Sequence, residues 1–566
     1  MVKNTYLFDR YHLLFLIVVF LFAFVLRFYQ LGSLPQGLSQ DESAIGYNAY
    51  SILQTSKDEH GITLPLYFKS FNDFKMPSYI YLTAISEKVF GLNEFAVRFP
   101  SALFGFLSVI FLYLLVYEIS KNKNLSLLTA LFLAINPWQL FFSRTAYEVN
   151  VALSFILIGL YLFMLGVRRR NQLLLFFIAI VFFVLAMYTY NVTRIMSPLI
   201  LLMYVYFYRN KIILPNSKKV FLGIWFLLLI IPFFLTFKNG SGFSNQENVL
   251  VFGSVNQAQA IEFKSYLLAL PKPLTLLFFN KDVLLFVEYL KNIINSLSVS
   301  LYFVSSGNGG NAGVGNVGLF YLFDLPFLLF GIYLTCKRRI TYFYPFIAWI
   351  LLEIIVVSIS IEVPHATRSY TILLPFILFS AFGCYSLLEI IQKYKKPFLK
   401  NILLFLVILV VGYSFLYFIV SYTTQFQYKY TSWWRPEEKP LALYLKNEQG
   451  NYNSIIIDSS APLIYTSLLF YQAYPPSVFQ GSSVYQKDSL FTNISRFGKY
   501  SLETIDWSKD LQMSNTLFVT TDKNSPPGLS PIATFSLPTR PVVLSIDNQI
   551  VQYPTTEKIF EVYKSE

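Results

Sequence analysis

The sequence predicts a polytopic α-helical membrane protein, of about 11–13 transmembrane helices, with a small extracytoplasmic α/β domain at its C-terminal end. Three observations carry this expectation. Hydrophobic residues make up 55% of the 566 and charged ones only 13%, more apolar surface than a soluble core absorbs. The apolar residues gather in runs close to the ~20 residues that cross a bilayer, such as Leu13 to Leu26, Val151 to Val167 and Ile402 to Val420. The bases cluster in short loops between those runs, so the net charge of +13 marks membrane orientation, and nucleic acid is not expected as a partner.

Lys3 and Arg10 precede the first run, but no small-residue cleavage site follows at Arg27-Phe-Tyr-Gln-Leu-Gly, so it is expected to stay as the first span. Spans are expected near 12–30, 98–118, 125–142, 150–167, 172–188, 194–208, 220–237, 319–336, 341–361, 369–391 and 402–422, eleven in all. With the N-terminus cytoplasmic, alternate loops hold Lys121 and Lys123, Arg168 to Arg170, Arg209 with Lys211, Lys218 and Lys219, Lys337 to Arg339, and four lysines from Lys393 to Lys400. With Lys3 and Arg10, eighteen bases then face the cytoplasm, the orientation expected in a plasma (inner) membrane.

An odd number of spans places the C-terminus outside. Residues 1–423 are therefore expected to form the membrane domain, with external loops 31–97 and 238–318, and residues 424–566 the external domain. That tail carries short β-rich runs at 454–458, 516–520 and 542–546 between Pro and Gly turns. Within the second loop, 283–304 reads as a further span or a re-entrant pair, and 306–315 is glycine-rich. Cys336 and Cys384 are expected to be packing residues, because two isolated thiols make neither a disulfide framework nor a metal site.

On the external side the loops bring together Asp41 and Glu42, Asp73 and Lys75, Arg98, Arg144 and Glu148, Arg194, and His365 with Arg368. Ser39 or Gln40 is expected to start a helix whose first turn holds Asp41 and Glu42. Adjacent helical residues point about 100° apart, so only one of the two can aim squarely into a site. Taken alone, the pair only complements a helix N-terminus, worth about 0.3–1 kcal/mol.

The order of the neighbouring motifs adds a function. Lys75-Met-Pro77, the approach Gly91-Leu-Asn93-Glu-Phe-Ala-Val-Arg98, Ser143-Arg144-Thr-Ala-Tyr147-Glu148, Tyr188-Thr-Tyr190-Asn-Val-Thr-Arg194 and Pro364-His365-Ala-Thr-Arg368 follow the acidic pair. Together they resemble the GT-C type membrane glycosyltransferases, family 39-like, the group of protein O-mannosyltransferases and lipid A aminoarabinose transferases. The likeness covers the first 210 residues well and the rest mainly by topology.

The resemblance implies a sugar donor on a polyprenyl phosphate, transfer with inversion, and an external acceptor that is a glycan, a lipid or a protein. It implies Asp41 as general base, Glu42 as an orienting neighbour, and Lys75, Arg98, Arg144, Arg194 and Arg368 as contacts to the departing phosphate. Glu148 stands where relatives often have Asp; positioning the acceptor, binding a divalent ion and pairing with Arg144 all stay open. Tyr188 and Tyr190 form an aromatic cluster with Arg194. His365 is expected to be a hydrogen-bonded structural residue rather than a metal ligand, and Mg²⁺ or Mn²⁺ on the carboxylates is neither required nor fixed. For Arg98 an interfacial anchor is the equal alternative.

A transporter or lipid flippase is the main rival reading. It fits less well, because the spans are nearly free of ionisable residues, Glu353 being the clearest exception, and no inverted repeat is evident. In a third reading the tail is a receptor or scaffold, with Trp433-Trp434 either stacking on glycan or packing at the membrane interface.

Overall fold

The computed structural model describes residues 6–71, 73–169, 172–238, 250–251, 271, 273–274, 277, 280–307, 310–461, 464–486, 493–521, 524–526, 528–546 and 549–565. Lys3, Arg170 and most of 239–279 lie outside them. From the N-terminus run α1 (Tyr6–Phe28), α2 (Gln40–Thr55), the hairpin strands β1 (Phe68–Ser70) and β2 (Asp73–Lys75), α3 (Pro77–Phe90) and α4 (Glu94–Ser120). Then come α5 (Lys123–Ile135), α6 (Pro137–Ser143), α7 (Glu148–Arg168), α8 (Leu173–Met187), α9 (Thr193–Tyr208) and α10 (Asn216–Lys238). After α11 (Lys281–Asn295), the bundle is completed by α12 (Asp324–Lys337), α13 (Tyr344–Val357), α14 (Leu373–Gln392) and α15 (Pro397–Val420).

Ten of the eleven expected spans each coincide mainly with one of these helices, and the run 125–142 covers two. Among the described residues six helices, seven with a bent pair, are long and apolar enough to cross a membrane, and α8, α9 and the α13 segment are shorter apolar helices. Three expectations change. The run 125–142 is not one rod: Pro137 has no N–H to continue the ladder, Asn136 caps the next helix by accepting from Gln139 N at 2.9 Å, and α5 and α6 meet at 60°. The span expected from 319 starts only at Asp324, whose carboxylate accepts the Tyr321 N–H at 3.0 Å and closes the turn before it. The stretch 283–304 supplies no second span, because α11 has 15 residues with Asp282, Glu288 and Lys291 along it, and the chain then makes a single π-helical turn at Ser300–Val304.

α2 and α3 lie across the end of the bundle. α3 buries Tyr79, Ile80, Thr83 and Glu87 and leaves Ile85, Val89 and Phe90 exposed, the pattern of a helix lying at a membrane surface. α2 is buried along most of its length, between the bundle and the C-terminal region.

That region begins with α16 (Glu438–Glu448) and continues through β3 (Ser454–Asp458), α17 (Tyr465–Gln472), α18 (Pro476–Ser482), β4 (Val484–Gln486), β5 (Asn493–Phe497), β6 (Tyr500–Glu503), β7 (Thr516–Thr521), β8 (Ala533–Ile546) and β9 (Gln549–Lys564). All three β-rich runs read from the sequence are strands of one seven-stranded sheet, ordered β4-β5-β6-β3-β7-β9-β8. β3 lies parallel to both β6 and β7, so both its faces are covered: Ile455 and Ile457 join the main core, while Ile456 packs with Phe518 and Tyr563 on the other side.

The sheet region grips α2. Ser43 Oγ meets Thr466 Oγ1 at 2.8 Å, the Tyr47 hydroxyl donates to the Tyr474 carbonyl at 3.2 Å, and Gln480 Nε2 donates to the Asp58 carbonyl at 2.8 Å. Gly46 makes the approach possible, because a Cβ there would sit 2.5 Å from the Phe470 ring and 2.9 Å from Val97.

Lys57 is exposed in the 31–97 loop and Lys211 in the turn between α9 and α10. In a Cys336→Ser, Cys384→Ser background, Lys57→Cys is expected to react with a membrane-impermeant maleimide on intact cells, and Lys211→Cys only after the membrane is opened. The reverse pattern would invert the topology.

Candidate functional site

The site is assembled at the N-terminus of α2. Ser39 caps the helix, accepting from Glu42 N at 3.3 Å, while Glu42 Oε2 accepts the Ser39 N–H at 3.1 Å, so the first turn is closed reciprocally. Within that turn the two acids part. The Glu42 side chain is buried, and the Asp41 side chain keeps 65% of its surface.

Glu42 is saturated. Its Oε1 accepts from Arg98 Nε and Ala146 N, both at 2.9 Å, and its Oε2 accepts from Arg98 Nη2 at 2.9 Å besides Ser39 N. Arg98 is fully buried and sends its remaining donors to the carbonyls of Leu31 (3.3 Å), Pro35 (2.8 Å) and Gly37 (2.5 Å). A guanidinium has five N–H donors. Those of Arg98 are all engaged by protein, and they clamp the 31–37 segment.

Arg144 is engaged in the same way. It donates to the carbonyls of Leu26 (2.8 Å), Arg27 (3.5 Å), Gln30 (3.4 Å) and Leu34 (3.3 Å) and to the Tyr422 hydroxyl (3.2 Å), tying the last turn of α1 to the start of the external loop. A cation there complements the helix C-terminus.

Asp41 and Lys75 are brought together. Lys75 Nζ lies 2.7 Å from Asp41 Oδ1, with the lysine side chain only 6% exposed. The position of Lys75 is set by the hairpin, where it pairs with Phe68. The hairpin is held in turn by a polar network: Asn48 Nδ2 donates to Ser70 Oγ (3.2 Å), Ser70 Oγ to Glu59 Oε1 (2.8 Å), and Glu59 N to Asn48 Oδ1 (3.0 Å). His60 Nε2 bonds the Lys69 carbonyl at 2.8 Å and stands 3.5 Å from Glu59.

The Tyr147 and Tyr79 phenols report what else faces this corner. Burial pushes both well above their ordinary values; Asp41, Glu42 and Glu148 push Tyr147 further, and Glu42 and Glu148 do the same to Tyr79. Asp41, Glu148, Tyr147 and Tyr190 thus share one acidic corner. Tyr147 stacks on Phe142 at 4.3 Å and donates to the Asn311 carbonyl, which brings the glycine-rich 306–315 run to the site. Gly310 and Gly315 lie at φ +69° and +82°, and a Cβ at either would strike Tyr430.

Arg194, at the start of α9, donates to Met76 Sδ, next in the chain to Lys75, and lies over Phe233 at 5.1 Å. Its Nε is buried with no hydrogen-bond partner. Tyr188 turns away, its hydroxyl donating to the Leu229 carbonyl at 3.1 Å, while its own carbonyl accepts Ser78 N at 3.1 Å. His365 and Arg368 are anchored locally: His365 Nδ1 bonds Thr367 Oγ1 at 2.9 Å, and Arg368 holds Glu362 Oε2 at 3.4 Å. Burial and the Arg368 charge push His365 down to about 4. Among the described residues no three His, Cys, Asp or Glu side chains group closely enough to hold a metal ion.

Arg27 was not singled out from the sequence as a site residue. It is fully buried, donating to the Ala23 carbonyl at 2.9 Å and to Gln139. Beside it, Tyr370 donates to Asn150 Oδ1 at 3.0 Å, and Asn150 Nδ2 to the Ser101 carbonyl at 2.9 Å, a polar chain through the helices beneath the site.

Comparison with known proteins agrees with this architecture. Residues 75–235 match the model of the dolichyl-phosphate-mannose-protein mannosyltransferase family. An uncharacterized protein of Aquifex aeolicus (strain VF5) is 28% identical over 173 residues, 31% of this chain and 34% of that one. ArnT from Cupriavidus metallidurans in the apo state superposes with a TM-score of 0.53 at 12% identity, over 98% of both chains, and the same enzyme bound to undecaprenyl phosphate with 0.50. The archaeal oligosaccharyltransferase AglB from Archaeoglobus fulgidus, in complex with an inhibitory peptide and a dolichol-phosphate, superposes with 0.51 at 13% identity, over 82% of this chain and 64% of its own. At these identities the likeness fixes the fold.

Two outcomes test the site's framework. Glu42→Gln leaves Arg98 buried without its counter-charge and is expected to cost about 3–5 kcal/mol, read as a lowered thermal midpoint in detergent, with Arg98→Met similar. The charge and hydrogen bond of Glu59, with Asp58, outweigh the burial that pushes His60 down, so His60 is raised above its ordinary value. Its stabilising contribution is therefore complete below about pH 6.5 and lost as pH rises through the raised value, and His60→Gln is expected to flatten that part of the stability profile measured by thermal unfolding.

Proposed function

We propose that this chain, whose fold is that of the GT-C type, family 39-like membrane glycosyltransferases, moves a sugar from a polyprenyl-phosphate donor to a hydroxyl outside the cytoplasm. The observation that carries the reading is the Asp41–Lys75 pair, an exposed carboxylate held 2.7 Å from a nearly buried ammonium at the mouth of the site. Support comes from the family match, which begins at Lys75, and from relatives of the same fold seen with polyprenyl phosphates.

In this reading the acceptor oxygen attacks the anomeric carbon, the bond from that carbon to the phosphate oxygen breaks, and the acceptor proton passes to Asp41. The phosphate leaves with the bonding pair and is held by Lys75 and by the unpartnered Nε of Arg194. Attack opposite the leaving group inverts the anomeric carbon. A lysine offers a mobile point charge, suited to exchanging Asp41 for a phosphate, whereas an arginine fork is harder to redirect. Glu148 and Tyr190, which act on Tyr147 together with Asp41, position the acceptor in this reading. Glu42 acts through Arg98 and the helix cap, as a positioning residue. No step uses a divalent cation.

Asp41→Asn is expected to lower kcat by roughly 10²–10⁴ with little change in donor KM, measured as transfer from a labelled polyprenyl-phosphate hexose in membranes. Lys75→Met is expected to raise donor KM and lower kcat together. Undiminished transfer by Asp41→Asn removes the assignment of the base. Export of a lipid or solute with no donor consumed, whatever the acceptor, favours a transporter instead.

A further inference from the structure

At the far end of the bundle, around the turn between α9 and α10, two neighbouring helices do not close against each other. Both pack on α8, and between them lies a crevice with a cavity volume of about 380 Å³. On α9 its wall is Pro198, Leu201, Leu202 and Val205, one helical stripe that ends at Arg209. On α10 the wall is Leu222, Gly223 and Phe226, a second stripe that begins at Lys219. Arg209 and Lys219 are the only charged residues of the lining, and they stand at the same end.

Neither base has an acidic partner among the described residues. Arg209 folds over the ring of Tyr206 at 4.2 Å and donates to the Tyr206 carbonyl. Lys211 and Lys218, in the same turn, add to the field at this mouth. Gly223 leaves open space, for a Cβ built there meets nothing within 4 Å.

We infer that this crevice is a binding site for an anionic phospholipid, with the headgroup phosphate on Arg209 and Lys219 and one acyl chain between α9 and α10. The dimensions favour this occupant over a polyprenyl phosphate. From Pro198 to Arg209 the α9 stripe rises roughly 16 Å at 1.5 Å per residue, about the depth of one leaflet of a ~30 Å hydrocarbon core. A slot with one charged mouth and one leaflet of apolar wall matches a phospholipid chain, whereas a polyprenyl tail is far longer. The crevice is also remote from the donor phosphate site in the chain, since Arg194 begins α9 and Arg209 follows its end.

The test is lipid retention by the purified full-length protein, delipidated in detergent and incubated with phosphatidylglycerol or phosphatidylcholine of identical chains, with bound lipids counted by native mass spectrometry. Phosphatidylglycerol is expected to be retained over phosphatidylcholine, and the Arg209→Gln, Lys219→Gln double variant to lose that preference by roughly tenfold or more. Gly223→Leu, which fills open space and keeps both bases, is expected to reduce retention equally, with an unchanged thermal midpoint in phosphatidylcholine micelles showing that it is folded. Equal retention of the two lipids, no change in either variant, or one-for-one displacement by undecaprenyl phosphate would each overturn the assignment. Binding of glycerol phosphate as tight as that of phosphatidylglycerol would do so too, since the acyl chain would then contribute nothing.

Discussion

The buried Glu42–Arg98 pair is the constraint on which the rest of the site depends. It joins four pieces of chain: the 31–37 segment through its carbonyls, the α2 cap through Ser39, the Ala146 loop before α7, and α4, which carries the arginine. An isolated charge buried like this would forfeit its hydration in water, at a cost of about several kcal/mol per ion. Here the carboxylate accepts four hydrogen bonds and the guanidinium spends all five donors, so the cost of burial is offset within the cluster. Because Glu42 is locked, its neighbour Asp41, about 100° around the helix, has a fixed direction toward the open side.

Adjacent residues of the same chemical type therefore do opposite work. Arginines divide in the same way. Arg98 and Arg144 spend all their donors, mostly on backbone carbonyls at the ends and bends of the first spans, where loose carbonyls at membrane depth need donors. Arg27 and Arg194 each keep an unpartnered Nε, and Lys75 pairs with the exposed carboxylate of Asp41. The distinction that matters for binding an incoming phosphate is the number of donors left, and charge alone does not give it.

Much of the fold was legible in the sequence because membrane spans write themselves in length and apolarity. All eleven expected spans are helical, ten on one helix each and one on a bent pair, and the three β-rich runs of the tail are strands. What was not legible was decided by single residues: Pro137 bends one expected rod, and the charges of α11 keep an apolar stretch from being a span. At the site, the capped start of α2 and the divergence of Asp41 from Glu42 followed from helix geometry. That Arg98 and Arg144 spend their donors within the protein could not be read, because most of their partners are main-chain carbonyls, and every residue type carries one of those. Arg27 was hidden for the same reason.

The arrangement also accounts for where the site sits. α2, α3 and the β1–β2 hairpin lie across the bundle end, and the sheet region presses α2 down through Phe470 against Gly46 and through Gln480 against the Asp58 turn. Asp41 is thus held by spans on one side and by the sheet region on the other, while Ile85, Val89 and Phe90 of α3 keep an apolar face exposed. An acid fixed between a membrane-facing helix and a water-facing domain stands at the boundary of the two phases. A donor with an insoluble tail and an acceptor in water can meet only at such a boundary, so the packing of α2 and the chemistry assigned to its first turn answer the same physical demand.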